Sequence, residues 1–131
     1  MKNLIYKNET YYLCDEMNNL QGKTTCIPKK YIANKDNMPH TKFSKSHIVI
    51  YGRSTCPYCI KILNFLKTKD ALYNKVIFVE IDSEPSELFA KKNLLNILHS
   101  EIGSHTTVPI VFYKGEFIGG SDKAKDFFTE F

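Results

Sequence analysis

Residues 51–59 read Tyr-Gly-Arg-Ser-Thr-Cys-Pro-Tyr-Cys, and this stretch decides how the chain folds. Its first residue, Tyr51, is the last of a near-continuous apolar run, residues 47–51, of the kind that forms a buried strand. Pro57 favours the first turn of a helix, because its missing N–H would have no partner there in any case. The sequence therefore predicts a strand-to-helix junction with Cys56 at the start of the helix and Cys59 one turn further on.

The two cysteines at this junction predict redox chemistry. Disulfide exchange proceeds through a thiolate, and the N-terminus of a helix lowers a thiol pKa through its free N–H groups and dipole. Arg53 adds a permanent positive charge nearby. We therefore assign Cys56 as the attacking thiolate and Cys59, which should point toward the core, as the resolving thiol. Half of a zinc site is the alternative, but zinc ribbons need a second close cysteine pair, and Cys14 and Cys26 stand far apart in the chain.

Residues 46–131 alternate strand and helix patterns and are expected to form one domain. The order β-α-β-α-β-β-α predicts an α/β fold with a four-stranded mixed sheet flanked by three helices. The predicted elements are a strand at 47–51, a helix at 57–69, a strand at 76–81, a helix at 84–102, a hairpin at 108–118 and an amphipathic helix ending at 131.

Residues 1–45 are predicted to be an N-terminal extension of unknown role. Residues 4–14 and 24–32 have strand composition, and residues 15–23 have turn composition, so the extension could form a β-hairpin. Because an isolated hairpin is only marginally stable, an ordered one should pack on the main domain. Residues 34–46 are polar and without periodicity, which predicts a linker.

Charge and composition narrow the functional classes. The 18 Lys and Arg residues exceed the 14 acidic residues, and the whole excess lies in residues 1–45, where the lysines are scattered. This distribution does not resemble a nucleic-acid site, and no apolar stretch approaches the length of a membrane span. We expect a cytoplasmic, reducing environment, in which a Cys-x-x-Cys pair is catalytic or metal-binding.

The other cysteines and the histidines give weaker signals. Cys14 and Cys26 could face each other across the hairpin, as a disulfide or as free thiols, or could be small buried apolar side chains. The spacing of His40, His47 and His99 does not suggest a metal site, and no bound metal is expected.

Two further motifs follow the cysteine pair. Thr107-Val108-Pro109 opens the third strand of the domain, where a proline predicts a turn and a cis bond. Residues 119–122, Gly-Gly-Ser-Asp, lie between a strand and a helix. Two glycines allow the close approach of a ligand or of another backbone, and the Ser and Asp could bind a small zwitterion or simply cap the helix.

Taken together, the three motifs resemble those of the glutaredoxin family, dithiol Cys-Pro-Tyr-Cys type, in residues 46–131. The resemblance implies a thioredoxin-like fold and a glutathione-dependent thiol–disulfide oxidoreductase. It places Arg53 against the glycine carboxylate of glutathione, and Tyr58 along the binding groove. The residues implied for the rest of the ligand are Thr107, Val108 and Pro109 at the cysteinyl part, and Gly120, Ser121 and Asp122 at the γ-glutamyl end.

The resemblance also implies partners, and two positions depart from it. Glutathione would be a co-substrate with no permanently bound cofactor, protein disulfides or glutathionylated proteins would be substrates, and a glutathione reductase would recycle the product. A monomer is expected. His105 stands where many family members carry Arg, and Lys123 where many carry a second acid.

Two alternatives of different kinds remain. Some relatives bind a [2Fe–2S] cluster through the first active-site cysteine and glutathione, but Pro57 is usual in members that hold clusters poorly. A thioredoxin-like reductase that does not use glutathione is the other alternative, and the Gly-Gly-Ser-Asp segment disfavours it.

Overall fold

The computed structural model describes residues 1–7, 10–15, 26–45, 47–82 and 87–131, with the backbone alone at 6–7, 10 and 26–30. Within these residues, no helix is long and apolar enough to cross a membrane. The turn predicted at 15–23 and the start of the helix predicted at 84 lie largely outside the described residues.

A single seven-stranded sheet organises the chain, in the strand order β3-β2-β1-β5-β4-β6-β7. The central pair β4–β5 is parallel, whereas β6 and β7 continue the sheet in antiparallel fashion. The strands are β1 Lys2–Lys7, β2 Thr10–Asp15, β3 Cys26–Tyr31, β4 Ile48–Gly52, β5 Val76–Glu80, β6 Ile110–Tyr113 and β7 Glu116–Gly119. The helices are α1 Pro39–Lys42, α2 Pro57–Lys67, α3 Asp70–Tyr73, α4 Lys91–Ile102 and α5 Ser121–Thr129, with a 3₁₀ turn at Glu87–Phe89.

The domain follows the predicted fold class. Strands β4, β5, β6 and β7 form the expected four-stranded mixed sheet, and α2, α4 and α5 are the three expected helices. The tight hairpin between β6 and β7 has positive φ at Lys114 (51°) and Gly115 (81°), as a two-residue turn with the twist of the strands requires.

The extension differs from the predicted hairpin, because it supplies three strands to the same sheet. The stretch predicted as one strand at 4–14 contains both β1 and β2, which pair antiparallel, and β3 adds to β2. β1 lies parallel to β5, with Leu4 opposite Val79. β1 thus covers an edge of β5 that an isolated domain would leave open. The apolar side chains of the extension, Leu4, Tyr11 and Leu13 among them, are buried in the core.

The predicted linker at 34–46 is also wrong in part, because it contains α1. Pro39 begins this helix, and His40 in it is only 2% exposed. Its ring stacks on Phe112 of β6, with ring centroids 4.0 Å apart. The segment is polar in sequence, but it covers one face of the sheet.

Two helices differ from the prediction. The helix predicted from 57 to 69 ends at Lys67 and is followed by the short α3. In the helix predicted at 84–102, Ala90 is extended (φ −62°, ψ 132°), so that α4 begins only at Lys91. Asp82 explains this break through two hydrogen bonds. Its backbone N–H donates to the Phe89 carbonyl at 2.9 Å, and its side-chain carboxylate accepts the Lys91 N–H at 2.8 Å.

The core runs continuously from the extension into the domain. Tyr11 of β2 contacts the ring of Phe89, which in turn lies against Tyr51 of β4. Tyr31 of β3 contacts both Tyr11 and Phe43. These aromatic contacts bury apolar surface between the two parts, so the extension and the domain share one hydrophobic core.

Candidate active site

Cys56 lies where β4 gives way to α2. It is the N-cap residue of α2, Pro57 is the first helical residue, and the Cys56 N–H closes a turn onto the Arg53 carbonyl at 3.0 Å. Cys56 is partly exposed, whereas Cys59 is completely buried. Both are free thiols in the structure. The structure therefore has one accessible sulfur and one buried sulfur, the arrangement expected from the sequence.

The two thiols differ in acidity. The backbone N–H of Cys59 is the largest cause that lowers the pKa of Cys56, and the Tyr58 N–H and the charge of Arg53 act in the same direction. Burial raises the pKa of Cys59 to about 12, although the Arg53 N–H, 3.4 Å from its sulfur, partly opposes this. Cys56 is therefore the more acidic of the two thiols.

Gly52 allows the helix to approach the strand closely at Cys59. A Cβ atom at Gly52 would lie 2.7 Å from the Cys59 sulfur and 3.3 Å from the Phe78 ring. Only a residue without a side chain leaves room for the sulfur there.

A groove of about 670 Å³ lies at this end of the sheet. Tyr58 of α2 borders it, and the bond between Val108 and Pro109 in its wall is cis, as the sequence predicted. Its lining residues are Tyr58, Ile102, Ser104, His105, Thr107, Val108, Pro109, Phe117, Gly119, Gly120, Ser121, Asp122 and Lys123.

Two buried polar atoms in the lining have no hydrogen-bond partner among the described residues, His105 Nε2 and Ser121 Oγ. The His105 ring contacts Phe117 edge-on, and a Cβ at Gly120 would lie 3.3 Å from its Cε1 atom. These two atoms are therefore available to hydrogen-bond a ligand in the groove. They lie beside Gly119 and Gly120, where an added side chain would be crowded.

Two charged residues of the predicted site, Arg53 and Asp122, are held in ion pairs. Arg53 pairs with Asp82, which follows β5, through its Nε atom at 2.9 Å and through Nη2. Asp122 at the start of α5 pairs with Lys61 of α2 at 3.1 Å. Glu80, at the end of β5, accepts the Ser54 N–H at 3.0 Å and so holds the loop before Cys56.

The structure thus brings together most of the residues predicted from the sequence. Seven of them line the groove: Tyr58, Thr107, Val108, Pro109, Gly120, Ser121 and Asp122. Arg53 does not line it and lies instead against Asp82. Sequence reasoning missed Lys61, Glu80 and Asp82. Glu80 and Asp82 could have been predicted from the sequence, because they lie at the carboxyl end of a parallel strand, where side chains meet those of the adjacent strand.

The remaining cysteines lie in the extension. Cys14 is fully buried and disulfide-bonded, and its cross-strand partner in the β2–β3 ladder is Cys26. The facing arrangement considered from the sequence is therefore found. Among the described residues, no group of three or more His, Cys, Asp or Glu side chains is arranged as a metal site.

The protein-family model described as glutaredoxin matches residues 48–118, which is more than half of the chain and includes both active-site cysteines and the Thr107-Val108-Pro109 segment. The chain belongs to the glutaredoxin family. The match runs from the start of β4 into β7 and leaves out the extension and α5. Membership of this family supports a role as a thiol–disulfide oxidoreductase.

Individual glutaredoxins agree with this assignment. The chain is 33% identical to glutaredoxin 1 of Rickettsia prowazekii over 75 residues, which are 57% of this chain and 70% of the relative. It is 35% identical to a glutaredoxin of Vernicia fordii over 80 residues, 61% of this chain and 69% of the relative. Among solved structures, oxidized glutaredoxin 2 from Chlamydomonas reinhardtii has a TM-score of 0.51 and 26% identity, over 66% of this chain and 75% of that one.

Proposed function

We propose that this glutaredoxin is a glutathione-dependent oxidoreductase that reduces glutathione mixed disulfides and protein disulfides through the Cys56 thiolate. The observation that carries the proposal is the position of Cys56, a partly exposed sulfur of lowered pKa at the start of α2. Tyr58, two residues further on, borders a groove large enough for a tripeptide and lined by the cis-proline and Gly-Gly-Ser-Asp segments.

The first step is an attack by the Cys56 thiolate on the glutathione sulfur of a mixed disulfide. A new bond joins Cys56 to glutathione, the old S–S bond breaks, and the substrate thiolate leaves and takes up a proton. Val108 and the cis Pro109 offer backbone to the cysteinyl part of the ligand. Asp122 and the backbone at Gly120 and Ser121 hold its γ-glutamyl end, and Arg53 holds its glycine carboxylate.

Two routes release the bound glutathione. In the first, the thiolate of a second glutathione attacks the glutathione sulfur, which releases glutathione disulfide and restores the Cys56 thiolate. In the second, Cys59 gives up its proton and attacks the Cys56 sulfur, so that glutathione leaves as a thiolate and Cys56–Cys59 becomes a disulfide. Because the pKa of Cys59 is raised to about 12, the second route needs that proton removed as the bond forms.

The proposal includes the partners of the reaction. Glutathione is a co-substrate and not a resident cofactor, a separate glutathione reductase regenerates it, and the enzyme acts as a monomer. The protein substrate is one that carries an accessible disulfide or a glutathionylated cysteine.

Turnover of a small glutathione mixed disulfide, with glutathione, glutathione reductase and NADPH, tests the proposal. Wild type and Cys59→Ser should turn over, because the first route needs only Cys56, and Cys56→Ser should be inactive. Activity in Cys56→Ser would refute the role of this thiol. If wild type is inactive in this assay but reduces a protein disulfide with thioredoxin reductase, the protein is a thioredoxin-like reductase that does not use glutathione. Absorption near 420 nm after anaerobic purification would instead indicate a [2Fe–2S] cluster.

A further inference from the structure

Asp82 connects the loop before Cys56 to the start of α4. Its Oδ2 atom accepts from Nε of Arg53 at 2.9 Å and also from Nη2, while its Oδ1 atom accepts the Lys91 N–H at 2.8 Å. Both carboxylate oxygens are therefore used, one on the Arg53 side chain and one on a helix backbone.

The backbone around Asp82 is fixed as firmly as its side chain. Its N–H donates to the carbonyl of Phe89, a residue only 2% exposed, and the preceding Ile81 N–H donates to the Gly52 carbonyl at 2.9 Å. Asp82 itself has a left-handed backbone (φ 60°), a conformation that Asp and Asn tolerate better than most residues. Left-handed non-glycine residues held by their surroundings are frequent at functional sites.

The contacts with Asp82 use one edge of the Arg53 guanidinium. A guanidinium carries five N–H groups, and Asp82 takes the edge formed by Nε and Nη2. The outer edge, formed by Nη1 and the second hydrogen of Nη2, is the one that binds a carboxylate end-on with two parallel hydrogen bonds. An Arg held along one edge thus presents the other edge in a fixed orientation.

We propose that Asp82 is a positioning residue, which holds the Arg53 guanidinium so that its outer edge faces a carboxylate bound beside Cys56. The inference rests on the proposed function in that the carboxylate is the glycine end of glutathione. It also has a rival, since the Asp82 carboxylate could instead compete with the ligand for Arg53 and weaken its binding.

Two variants of Asp82 separate these roles. Asp82→Glu keeps the charge and moves the carboxylate by one methylene group, whereas Asp82→Asn suits the left-handed backbone and removes the charge. A positioning role predicts that both variants raise KM for a glutathione mixed disulfide by about three- to tenfold with kcat retained, the equivalent of about one hydrogen bond. Competition predicts a lower KM in Asp82→Asn and an almost unchanged KM in Asp82→Glu.

A substrate control shows whether the effect passes through Arg53. With a mixed disulfide of glutathione whose glycine carboxylate is an amide, the Asp82 variants should match wild type. In an Arg53→Gln background, the Asp82 substitutions should add no further change. An equal loss on both substrates would contradict the inference and indicate a merely structural role.

A second measurement uses no glutathione. Iodoacetate and iodoacetamide alkylate a thiolate by the same displacement of iodide, but only iodoacetate carries a carboxylate. The ratio of their rates at Cys56 should fall by about three- to tenfold in Asp82→Glu, as in Arg53→Gln. An unchanged ratio would overturn the role of Asp82, whether or not wild type turns over glutathione mixed disulfides. Inactivity of wild type on those disulfides would overturn the proposed function alone.

Discussion

The Nδ1 atom of His40 lies 2.8 Å from the Tyr51 hydroxyl, and both residues are buried. The same hydroxyl accepts the backbone N–H of His40 at 3.2 Å, so its own hydrogen is available to donate to Nδ1. With the hydroxyl donating to Nδ1, the proton of the neutral His40 ring is on Nε2, which is 2.7 Å from a Glu101 carboxylate oxygen. The segment before β4 is therefore joined to the core by a polar contact and not by apolar packing alone.

The burial of His40 predicts that stability falls in mild acid. Burial lowers the pKa of His40, and the Glu101 carboxylate only partly opposes this. A base whose pKa is lower in the folded state stabilises the fold fully above its unfolded value, about 6.5, and loses this contribution as pH falls from there toward the folded pKa. The free energy of unfolding, measured in urea between pH 8 and pH 5, should therefore decline in wild type below about pH 6.5.

The matched variant for this prediction is His40→Gln, which keeps polar atoms beside Tyr51 and removes the titration. The difference in unfolding free energy between the two proteins should shrink as pH falls. A constant difference from pH 8 to pH 5 would show that His40 does not titrate in this range.

Substitution at Gly52 should destabilise the active-site end of β4. In Gly52→Ala the new Cβ would lie 2.7 Å from the Cys59 sulfur, so the strand or α2 must move. We expect a loss of about 1–3 kcal/mol in unfolding free energy, as for overpacking elsewhere in protein cores. Cys59→Ala removes the sulfur, so the cost of Gly52→Ala should be smaller in that background. An equal cost in both backgrounds would assign the effect to the Phe78 contact instead.

The unequal acidity of the two thiols predicts selective modification. Hydrogen bonds from the helix N-terminus lower the pKa of Cys56, whereas burial raises that of Cys59 to about 12. In the reduced protein, thiolate absorption near 240 nm should rise in one step below the usual thiol pKa of about 8.5, and Cys56→Ser should lack that step. Alkylation at pH 7 followed by mass spectrometry should find the label on Cys56. Label on Cys59 at a similar rate would contradict the assigned roles.

The Lys61–Asp122 ion pair should affect ligand binding more than stability. Both side chains are well exposed, and exposed pairs contribute about 0–1 kcal/mol. Lys61→Gln frees Asp122 for the ammonium group of the γ-glutamyl end, so KM for a glutathione mixed disulfide should fall by about twofold, more at low salt than at high salt. Lys67→Gln changes the same net charge on the same helix and should leave KM unchanged. A higher KM in Lys61→Gln would mean that Lys61 orients Asp122 for the ligand.

The parts of the site that could be predicted are those whose sequence signals lie close together in the chain. The apolar run of β4, the Pro57 helix start and the cysteine spacing occupy one short stretch, so the β4–α2 junction could be inferred with both sulfurs in place. The partners of the charged side chains could not. Asp82 pairs with Arg53, and Lys61 pairs with Asp122, only because the folded chain brings them together. The spacing of these residues in the sequence does not predict either contact.

The extension was harder to predict for a similar reason. An unbroken strand-like composition at 4–14 does not tell one long strand from two strands that pair with each other. A lone histidine in a polar segment gives no sign of burial, because the groups that receive His40 lie on β4 and α4. Ala90 has a high helix propensity, yet it is extended in the structure. Asp82 binds the backbone of both its neighbours, Phe89 and Lys91, and α4 therefore begins only after Ala90.

The parallel pairing of β1 with β5 has a consequence for the order of events during synthesis. The ladders that join β1, β2 and β3 connect neighbours in sequence and can close as soon as those residues leave the ribosome. β5 is translated much later, so until then the edge of β1 that it covers has no strand to pair with. Throughout that interval the nascent chain carries an open strand edge, the feature that most readily recruits other chains. Completion of β5 closes it, so slow translation between Tyr31 and Val76 would prolong the period in which this protein is most prone to misassembly.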